Sequence, residues 1–369
     1  MTVLDVALAC DIMTDLEGPI RPAIYLATEM VAMGHKVSII SPVISDDVEK
    51  RLLADGMTPI NLHSKLIARN SAISLLWFEA WAREAFLKLN SKGVNRHSNL
   101  TVNFSHTLVV PSTFWYLQGP TSSALKDMEG ELTIAYRFVY EILRPLIGYV
   151  DGKLVKDIDR NSTFIVANSR FCASLYEKWG IVADDIIYPP IDCKVFQPLT
   201  SNPSSDYVLT YFGKESKFSI VKAVADLGVK IRAFGSKAPF VPKSVINHPN
   251  IELLGRISTE ELVNIYSNAL FTLFPFTHEP FGYIPVESMA CGTPTLTFDS
   301  QGPGESVTDG YTGWLARSDG EFITIALRLW KQGYASAVRR GCTKAASMFD
   351  KKLYVKKWLK VMEARKQEV

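Results

Sequence analysis

The sequence predicts an α/β protein made of two consecutive doubly wound domains, each with a parallel sheet. Three observations support this fold class. The first forty residues alternate between strand-like and helix-like patterns, a second alternation begins at Tyr207, and prolines separate the two runs. The chain has 369 residues, of which 47% are hydrophobic, so it is long enough to form two cores of ordinary size.

The first run opens a parallel sheet. Residues 3–9 are apolar and strand-like, residues 21–33 have a helical pattern that ends at Gly34, and residues 35–40 are strand-like again. Such a strand-helix-strand unit is the start of a parallel α/β domain. Three later segments are predicted to be strands of the same sheet: residues 101–104, 114–117 and 164–167.

The second run repeats this pattern. Residues 208–212 are predicted to form a strand and residues 217–227 a helix that ends at Gly228. Ser258 and Glu261 have the spacing of a capping box, which predicts a helix from there to Asn268. Further strands are predicted at residues 229–234, 251–254, 270–274 and 295–298.

The prolines of the segment 188–192 indicate a stiff junction between the domains. We therefore predict an N-terminal domain at residues 1–190, a C-terminal domain at 191–350 and a separate helical segment at 351–369. Two doubly wound domains in sequence imply a cleft between them, which is where ligands of such proteins bind.

Composition excludes several classes of protein. The net charge of +2 does not suggest a nucleic-acid-binding protein, and five scattered cysteines without a Cys-x-x-Cys pair argue against a disulfide framework or a zinc site. The sequence has neither a signal-peptide pattern nor an apolar run suited to spanning a bilayer. We expect a cytosolic protein or one on the cytosolic face of a membrane. Basic residues in 351–366 fit a solvated helix face or weak attraction to acidic lipid.

The segment 278–296, which reads HEPFGYIPVESMACGTPTL, is the most informative part of the chain. It contains two carboxylates, Glu279 and Glu287, with seven residues between them. Gly282 allows a close approach of backbone to a ligand, and Pro285 suits the first turn of a helix. The first amides of a helix bind anions, so the start of this helix is predicted to bind a phosphate. The two carboxylates would bind hydroxyl groups. A ligand with both a phosphate and hydroxyls suggests a nucleotide sugar. The alternative is an ordinary exposed helix start.

The Glu-Pro-Phe-Gly opening and the Ser-Met-Ala-Cys-Gly-Thr-Pro close of this segment resemble the donor-binding signature of the retaining family 4 glycosyltransferases. The prolines at 188–198 resemble the interdomain segment of that family. The resemblance implies the GT-B fold, in which two Rossmann-like domains face a cleft and the last helix crosses back to the N-terminal domain. It also implies transfer of a hexose from a nucleoside diphosphate sugar, with a uridine one expected, to a glycan or lipid-linked glycan. No cofactor is implied.

The resemblance also assigns residues to the donor. Glu279 would bind sugar hydroxyls near the reacting carbon, and Glu287 the ribose hydroxyls. The other positions are Arg256 and Ile257, which would line the base, and Phe281, Gly282, Tyr283 and Ile284, which would offer amides to the sugar and phosphate.

A leaving diphosphate requires a metal ion or cationic groups. The family has a glycine, an arginine and a lysine for this purpose; here they correspond to Gly213, Lys214 and Lys217, so a lysine replaces the usual arginine. A lysine keeps the charge but lacks the bidentate geometry. Gly18, in the loop after the first strand, would face the donor phosphate, although it also fits an ordinary turn.

These cations and amides predict a metal-independent reaction with Lys217 among its catalytic groups. The metal-using alternative would need a pair such as Asp157 and Asp159, which we interpret as part of a surface loop.

The N-terminal domain departs from the family at one position. Gln118 stands where the family often has a histidine that faces the donor sugar. Glutamine can donate and accept hydrogen bonds but cannot become charged. We predict that Gln118 is catalytic together with Glu279, with His106 as the second candidate and a polar turn as the structural alternative.

The acceptor side is the least informative part of the sequence. Two segments, 66–89 and 134–149, combine aromatic and apolar residues with flanking arginines, and Trp77 and Trp81 would share a helix face. The mixture fits an interfacial helix or a lipid-linked acceptor, and it equally fits helices packed on the sheet. Peripheral membrane contact is therefore one expectation.

Two rival functions stay open. A GT-B nucleotide-sugar epimerase would share the fold, but the spacing of Glu279 and Glu287 argues against it. A non-catalytic sugar-nucleotide-binding subunit of a glycan-assembly complex is compatible with Gln118 and the altered cation pair.

Overall fold

Two parallel β-sheets with intervening helices form the structure, a computed structural model that describes residues 3–16, 18–67, 73–88, 91, 100–131, 134–200, 203–235 and 241–365. In this part of the chain one sheet has seven strands and the other six. The chain divides into two compact units. The first contains Met1–Ser123, Glu141–Pro190 and Lys351–Val369, and the second contains Ala124–Tyr140 and Ile191–Asp350. The α/β class and the two doubly wound sheets are confirmed.

The strands of the first sheet have the order β3-β2-β1-β4-β5-β6-β7 and those of the second the order β10-β9-β8-β11-β12-β13. Their bounds are β1 Asp5–Ala9, β2 Lys36–Ser41, β3 Thr58–Asn61, β4 Leu100–Asn103, β5 Ser112–Leu117, β6 Ser162–Ala167, β7 Asp185–Ile186, β8 Val208–Phe212, β9 Ile231–Gly235, β10 Ile251–Gly255, β11 Thr272–Phe274, β12 Thr295–Phe298 and β13 Gly313–Ala316.

The helices of the described residues alternate with these strands. Their bounds are α1 Arg21–Ala32, α2 Asp46–Ala54, α3 Ile73–Leu87, α4 Thr121–Met128, α5 Ile134–Arg160, α6 Arg170–Glu177, α7 Phe218–Asp226, α8 Lys243–Ile246, α9 Thr259–Asn268, α10 Tyr283–Ala290, α11 Gln301–Ser306, α12 Asp319–Gln332, α13 Ala337–Ala346 and α14 Lys351–Arg365.

The core of the first unit includes the last helix of the chain. The Trp358 side chain of α14 is fully buried, and its ring lies 5.8 Å from Phe114 and 5.7 Å from Tyr116, centroid to centroid. At the start of the same helix, the Lys351 Nζ atom lies 3.1 Å from the Glu29 carboxylate of α1. Burial of a side chain as large as tryptophan makes α14 an integral part of this core.

The capping box at α9 is confirmed. The Ser258 hydroxyl accepts a hydrogen bond from the Glu261 amide, and the Glu261 carboxylate accepts one from the Ser258 amide. Strand β12 has the bounds that the sequence predicted, because its threonines and apolar residues are β-prone and Pro294 and Ser300 limit the segment.

The prediction that Asp157 and Asp159 lie in a surface loop is wrong. Both lie in the last two turns of α5. Asp157 is four residues after Lys153 and three before Arg160, and it forms ion pairs of 3.1 and 3.5 Å with them. Such pairs at helical spacing support a helix in a segment whose polarity alone suggests a loop.

The first aromatic segment packs on the sheet, as one of the two alternatives expected. The rings of Trp77 and Trp81 stack at 6.2 Å, which confirms their shared face, and Trp81 belongs to the core cluster that contains Trp115. Residues 68–72 and 89 of this segment lie outside the described residues. None of the helices in the described ranges combines the length and apolarity that a bilayer crossing requires.

Candidate functional site

The second sheet has its topological switch point between β8 and β11, where ligands of doubly wound sheets bind. The loops that follow these neighbouring strands are joined by backbone hydrogen bonds. The Lys217 amide donates to the Pro275 carbonyl at 2.9 Å, and the Thr277 amide donates to the Glu215 carbonyl at 2.8 Å. The predicted loop at Gly213 and the predicted segment at Glu279 are thus held side by side.

A side chain at position 213 would force the side chains of Tyr211 and Glu215 to move. A Cβ atom there would lie 2.3 Å from the Tyr211 ring and 2.7 Å from the Glu215 carboxylate, distances that real Cβ contacts do not reach. The Gly213 amide donates to the Ser216 hydroxyl at 2.9 Å, which closes the loop tightly. The side chain of Lys214 is exposed at the apex of this loop.

Glu279 caps the signature helix α10. Its carboxylate accepts a hydrogen bond of 3.1 Å from the amide of Gly282, the residue that precedes the helix and has a φ of +93°. The Glu279 amide in turn donates to the Gln301 side chain at 2.6 Å, and that side chain donates to the Thr277 carbonyl at 3.1 Å. A phosphate at the start of α10 would therefore compete with the Glu279 carboxylate for the Gly282 amide.

Glu215, which the sequence argument did not select, is the electrostatic neighbour of Glu279. Burial raises the pKa of Glu215, while the Lys214 charge opposes that rise. Burial and then the Glu215 charge raise the pKa of Glu279. Two carboxyl groups so arranged resist double ionisation, so the pair retains protons at a higher pH than isolated glutamates do. No local pattern marked Glu215, because its partner is 64 residues away in the sequence.

Tyr211 lies among the other predicted donor residues. Burial raises the pKa of the Tyr211 hydroxyl, and the charges of Glu215, Glu279 and Glu287 raise it further, while Arg256 lowers it. Glu287 is buried in α10, with one carboxylate oxygen 3.5 Å from the Tyr266 hydroxyl. The structure thus brings the second carboxylate and the exposed Arg256 into electrostatic range of the same tyrosine.

The remaining signature residues divide between core and helix start. The Phe281 side chain is buried and its ring lies 5.4 Å from that of Tyr283 and 5.7 Å from that of Phe349, so only its backbone can face a ligand. Tyr283 and Ile284 are the first two residues of α10, and the amides of a first helical turn point toward the start of the helix, where anions bind. Ile257 is half-buried after β10.

Lys217 is paired with a residue that the sequence argument missed. Its Nζ atom lies 2.7 Å from Asp319, at the start of α12, and 5.3 Å from the centre of the Phe298 ring. About half of the Asp319 side chain is exposed, and such pairs contribute little to stability. A diphosphate could therefore replace Asp319 as the partner of Lys217 at small cost.

His278, the residue before Glu279, is also anchored. Its Nδ1 atom lies 2.8 Å from the Asp127 carboxylate, and the imidazole is almost completely buried. The His278 charge lowers the pKa of Glu215, opposing the effect of burial. The sequence separation of 151 residues hides this pair from any local pattern.

The first unit contains Gly18 and Gln118. Gly18 is exposed and has a φ of +63° in a 3₁₀ turn that leads into α1. The Gln118 side chain follows β5 and donates a hydrogen bond of 2.7 Å to the Phe104 carbonyl. Gln118 is thus oriented by the backbone at the end of the neighbouring strand β4.

His106 and Asp11 form a mostly buried pair at the switch point of the first sheet, between β1 and β4. The His106 Nδ1 atom lies 3.6 Å from the Asp11 carboxylate, and its Nε2 atom lies 3.4 Å from the Tyr176 hydroxyl. Burial lowers the pKa of His106, but the hydrogen bond and charge of Asp11 outweigh burial and raise it.

Asp11 is the centre of this cluster. One of its oxygens accepts hydrogen bonds from the His106 and Thr107 amides, both at 2.9 Å, and from the Thr107 hydroxyl at 2.7 Å. Burial raises the pKa of Asp11, but the bonds from His106, Ser105 and Thr107 outweigh it and lower the pKa to about 2. The only local signal was an aspartate two residues after a buried strand.

Part of the chain is similar in sequence to known glycosyltransferases. The profile of the family described as glycosyl transferases group 1 matches residues 243–329, which include Arg256 and the signature. An uncharacterised glycosyltransferase of Methanocaldococcus jannaschii is 34% identical over 106 residues, 27% of this chain and 30% of that protein. D-inositol 3-phosphate glycosyltransferase of Mycolicibacterium smegmatis is 26% identical over 154 residues, 36% of each protein. The chain thus spans about a third of the length of these curated relatives.

Solved structures resemble nearly the whole chain. HepE of Anabaena, in complex with UDP, has a TM-score of 0.69 at 15% identity and covers 98% of this chain and 100% of its own. Sucrose-phosphate synthase from Thermosynechococcus elongatus has a TM-score of 0.69 at 14% identity and covers 99% of this chain and 100% of its own. These likenesses and the two sheets define the fold class as GT-B. Within this fold, residues 243–329 are similar to the family described as glycosyl transferases group 1.

Proposed function

We propose that the protein is a retaining hexosyltransferase that moves a sugar from a nucleoside diphosphate, UDP being the expected one, to a hydroxyl of a glycan or lipid-linked glycan. The main support is the junction of the Gly213 loop with the Glu279 segment at the switch point of the second sheet. HepE, which has the same fold, was solved with UDP and with UDP-glucose.

In this proposal the diphosphate binds at the start of α10. The amides of Gly282, Tyr283 and Ile284 and the exposed Lys214 would meet its negative charge. Lys217 would exchange Asp319 for a phosphate oxygen. Glu279 would then leave the Gly282 amide and accept hydrogen bonds from the sugar hydroxyls.

The nucleoside has its own set of proposed contacts. Glu287 would accept hydrogen bonds from the ribose hydroxyls, and Arg256 and Ile257 would line the base. The turn at Gly18 and the amide of Gln118, both in the first unit, are proposed to contact the phosphate and the sugar hydroxyls. Because Gln118 stays neutral, it would orient the sugar without adding charge.

The proposed chemistry is attack of the acceptor hydroxyl on the face from which the diphosphate departs. The bond between the anomeric carbon and the phosphate oxygen breaks, the bond to the acceptor oxygen forms, and the leaving phosphate takes the acceptor proton. Lysines and helix amides stabilise the leaving group, so the reaction needs no metal ion.

One alternative is a sugar-nucleotide-binding subunit without turnover. Two observations favour it: Lys217 is paired with Asp319, and Gln118 donates its amide to the backbone. Release of UDP in the presence of a lipid-extract acceptor separates an enzyme from a binding subunit. Activity that persists in excess chelator supports the metal-independent route, and loss that magnesium or manganese restores would refute it.

The site is tested with Glu279→Ala and Glu287→Ala. We expect Glu279→Ala to abolish most turnover, because sugar hydroxyl contacts beside the reacting carbon are lost. Glu287→Ala should weaken donor binding by about 1–3 kcal/mol, the cost of losing a buried hydrogen bond. Isothermal titration with UDP-sugars and a coupled UDP-release assay measure the two effects, with the exposed Glu260→Ala as the control. Unchanged affinity and turnover in both site variants would remove these residues from the donor site.

The donor is identified by thermal shift against a panel of uridine, adenosine and guanosine diphosphate sugars. A ligand at a hundred times its dissociation constant should add about 2.7 kcal/mol to the free energy of unfolding. Stabilisation by a guanosine or adenosine compound instead would change the proposed base without removing the site.

A further inference from the structure

Among the described residues, one face of helix α5 lies outside the core of the first unit. Its inward face contributes Val150, Leu154 and Ile158 to the core cluster that contains Trp115. The opposite face is formed by residues at spacings of three and four, which is the period of a helix side. We call it the outer face; its members in the first unit are Ile142, Leu146, Tyr149, Lys153, Lys156 and Arg160.

The first half of the outer face is apolar and exposed. Ile142, Leu146 and Tyr149 have relative exposures of 61%, 52% and 60%. The surface continues onto the end of α3, where the Phe86 ring stacks on that of Tyr149 at 6.3 Å and Leu87 is 61% exposed. Contiguous apolar exposure of this kind marks an interaction site rather than a scattered surface residue.

The second half of the outer face is basic. Lys156 is exposed, and Lys153 and Arg160 lie on either side of Asp157, which also pairs with Lys88 at 3.6 Å. Lys88, Lys153 and Arg160 pair with Asp157, so together with Lys156 this region has four cations against the two carboxylates Asp157 and Asp159, which leaves excess positive charge. From Ile142 to Arg160 the face is about 27 Å long at 1.5 Å per residue, with the apolar and basic halves end to end.

From this pattern we infer that the outer face of α5 and the adjoining end of α3 dock on an anionic lipid bilayer. Apolar side chains that insert below the headgroups, next to lysines and arginines at headgroup level, are the requirements for interfacial binding. A second copy of the chain fits less well. Parallel pairing would bring two basic halves together, and full antiparallel pairing would place each basic half on an apolar half.

The inference rests on the proposed transfer to a lipid-linked acceptor, since that substrate lies at a membrane surface, and it names the surface that binds there. Its test uses neither donor nor acceptor. The full chain is centrifuged with vesicles of phosphatidylcholine alone or of phosphatidylcholine with phosphatidylglycerol. We expect binding to the anionic vesicles that weakens as salt is added.

Two variants test the apolar half and the basic half of the outer face separately. Ile142→Ser/Leu146→Ser/Tyr149→Ser should lower the partition coefficient on anionic vesicles about tenfold or more, because exposed apolar area no longer enters the bilayer. Lys156→Gln/Arg160→Gln should lower it about tenfold on anionic vesicles and leave the weaker binding to neutral vesicles unchanged.

Matched controls come from the same unit. Met33→Ser/Leu53→Ser/Val182→Ser removes three exposed apolar side chains elsewhere, and Lys356→Gln/Lys357→Gln removes two exposed charges from α14. Both should bind like the unchanged protein. If Lys356→Gln/Lys357→Gln lowers vesicle binding as much as Lys156→Gln/Arg160→Gln does, the inference is overturned in favour of α14. If the unchanged protein does not bind vesicles, the inference is also overturned.

Sedimentation without vesicles tests whether a second copy of the chain binds to the outer face. A dimer that the Ile142→Ser/Leu146→Ser/Tyr149→Ser variant dissociates would overturn the inference, because the face would then bind a second copy. UDP release with a water-soluble acceptor is measured separately. Its failure would count against the transferase proposal, whereas failed vesicle binding with intact transfer would count only against docking.

Discussion

The carboxyl pair Glu215 and Glu279 sets the electrostatics of the proposed donor site. Both groups have raised pKa values, Glu215 through burial and Glu279 through burial and the Glu215 charge. A protonated pair can lie beside a diphosphate, whereas an ionised pair repels it. The protonation state of two neighbouring residues should therefore control donor binding.

We expect the affinity for UDP to fall as the pH rises through the raised pKa values of this pair. Glu215→Gln should remove most of that dependence, because one of the two titrating groups is gone and the other loses its charged neighbour. Titration calorimetry from about pH 5 to about pH 9 measures the slope. The exposed Glu260→Gln serves as the control, and an equally steep slope in Glu215→Gln would contradict the coupling.

The raised pKa values of Glu215 and Glu279 also determine whether the free energy of unfolding rises or falls with pH. A carboxyl whose pKa is raised on folding binds more protons when folded, so the free energy of unfolding decreases as the pH rises between the unfolded and folded pKa values. Denaturant unfolding of Glu215→Gln should show a smaller decrease over this interval than the unchanged protein. A larger decrease would assign the shift to another group.

Asp11 and His106 should contribute to stability with opposite dependence on pH. The pKa of Asp11 is lowered to about 2, so its stabilising contribution is complete above the unfolded value near 3.8 and is lost as the pH falls through about 2. The pKa of His106 is raised above 6.5, so its contribution is complete below that value and is lost as the pH rises through the folded pKa.

His106→Gln should therefore flatten the loss of stability that occurs as the pH rises from 6.5 through the folded pKa of His106. Urea unfolding at a series of pH values measures it, and the exposed His63→Gln is the control in the same unit. If His106→Gln and His63→Gln change the profile equally, the Asp11 contact does not raise the pKa of His106.

At the scale of the element, the start of α10 depends on a single backbone conformation. Gly282 has a φ of +93°, and a Cβ atom there would lie 3.0 Å from Pro303 and 3.5 Å from the Glu279 side chain. The left-handed backbone and these neighbours place the Gly282 amide where Glu279 caps the helix. Helix geometry and site geometry are therefore coupled at this residue.

Gly282→Ala should destabilise the protein by about 1–2 kcal/mol through its left-handed backbone and should also lower UDP affinity. Gly310→Ala is the matched control, because its φ is +71° and a Cβ atom there meets nothing within 4 Å. Thermal unfolding should show similar strain in both variants, while calorimetry should show weaker UDP binding only for Gly282→Ala. Unchanged UDP binding in Gly282→Ala would exclude the start of α10 from the site.

Elements also show where local patterns succeed and fail. The capping box of α9 and the bounds of β12 could be predicted, because both depend on residues within a few positions of each other. The end of α5 could not be predicted, because the polar residues around Asp157 and Asp159 suggest a loop. The ion pairs at helical spacing and the burial of Leu154 and Ile158, which make this segment a helix, are seen only in the structure.

At the scale of the whole molecule, each unit has its own sheet, and the chain enters the first unit again at its end. The Trp358 side chain is packed against Phe114 and Tyr116 of β5 and against Phe104, which follows β4, all more than 240 residues earlier in the chain. The first unit therefore needs the end of the chain for its core, whereas the proposed donor residues of the second unit lie before it.

Trp358→Ala should destabilise the first unit by about 3–5 kcal/mol, because a large buried side chain is removed. Binding of UDP by the second unit should persist at temperatures below that transition. Calorimetric unfolding with and without UDP, together with limited proteolysis, measures the two effects. Leu353→Ala, at a partly exposed position of the same helix, is the control and should cost much less. Loss of UDP binding at low temperature would mean that the units do not fold separately.

By itself, the sequence determined the class of fold and the signature helix, and it marked Gly213, Gly282, Glu279 and Glu287 as candidate donor residues, because short-range spacing and the special requirements of glycine and proline encode them. Only the tertiary structure paired Glu215 with Glu279, Lys217 with Asp319, His278 with Asp127 and His106 with Asp11. It also decided which aromatic side chains of α3 and α5 are buried and which are exposed. The reason is physical: charge and burial depend on neighbours in space, and parallel sheets bring together residues that lie tens to more than a hundred positions apart in the chain.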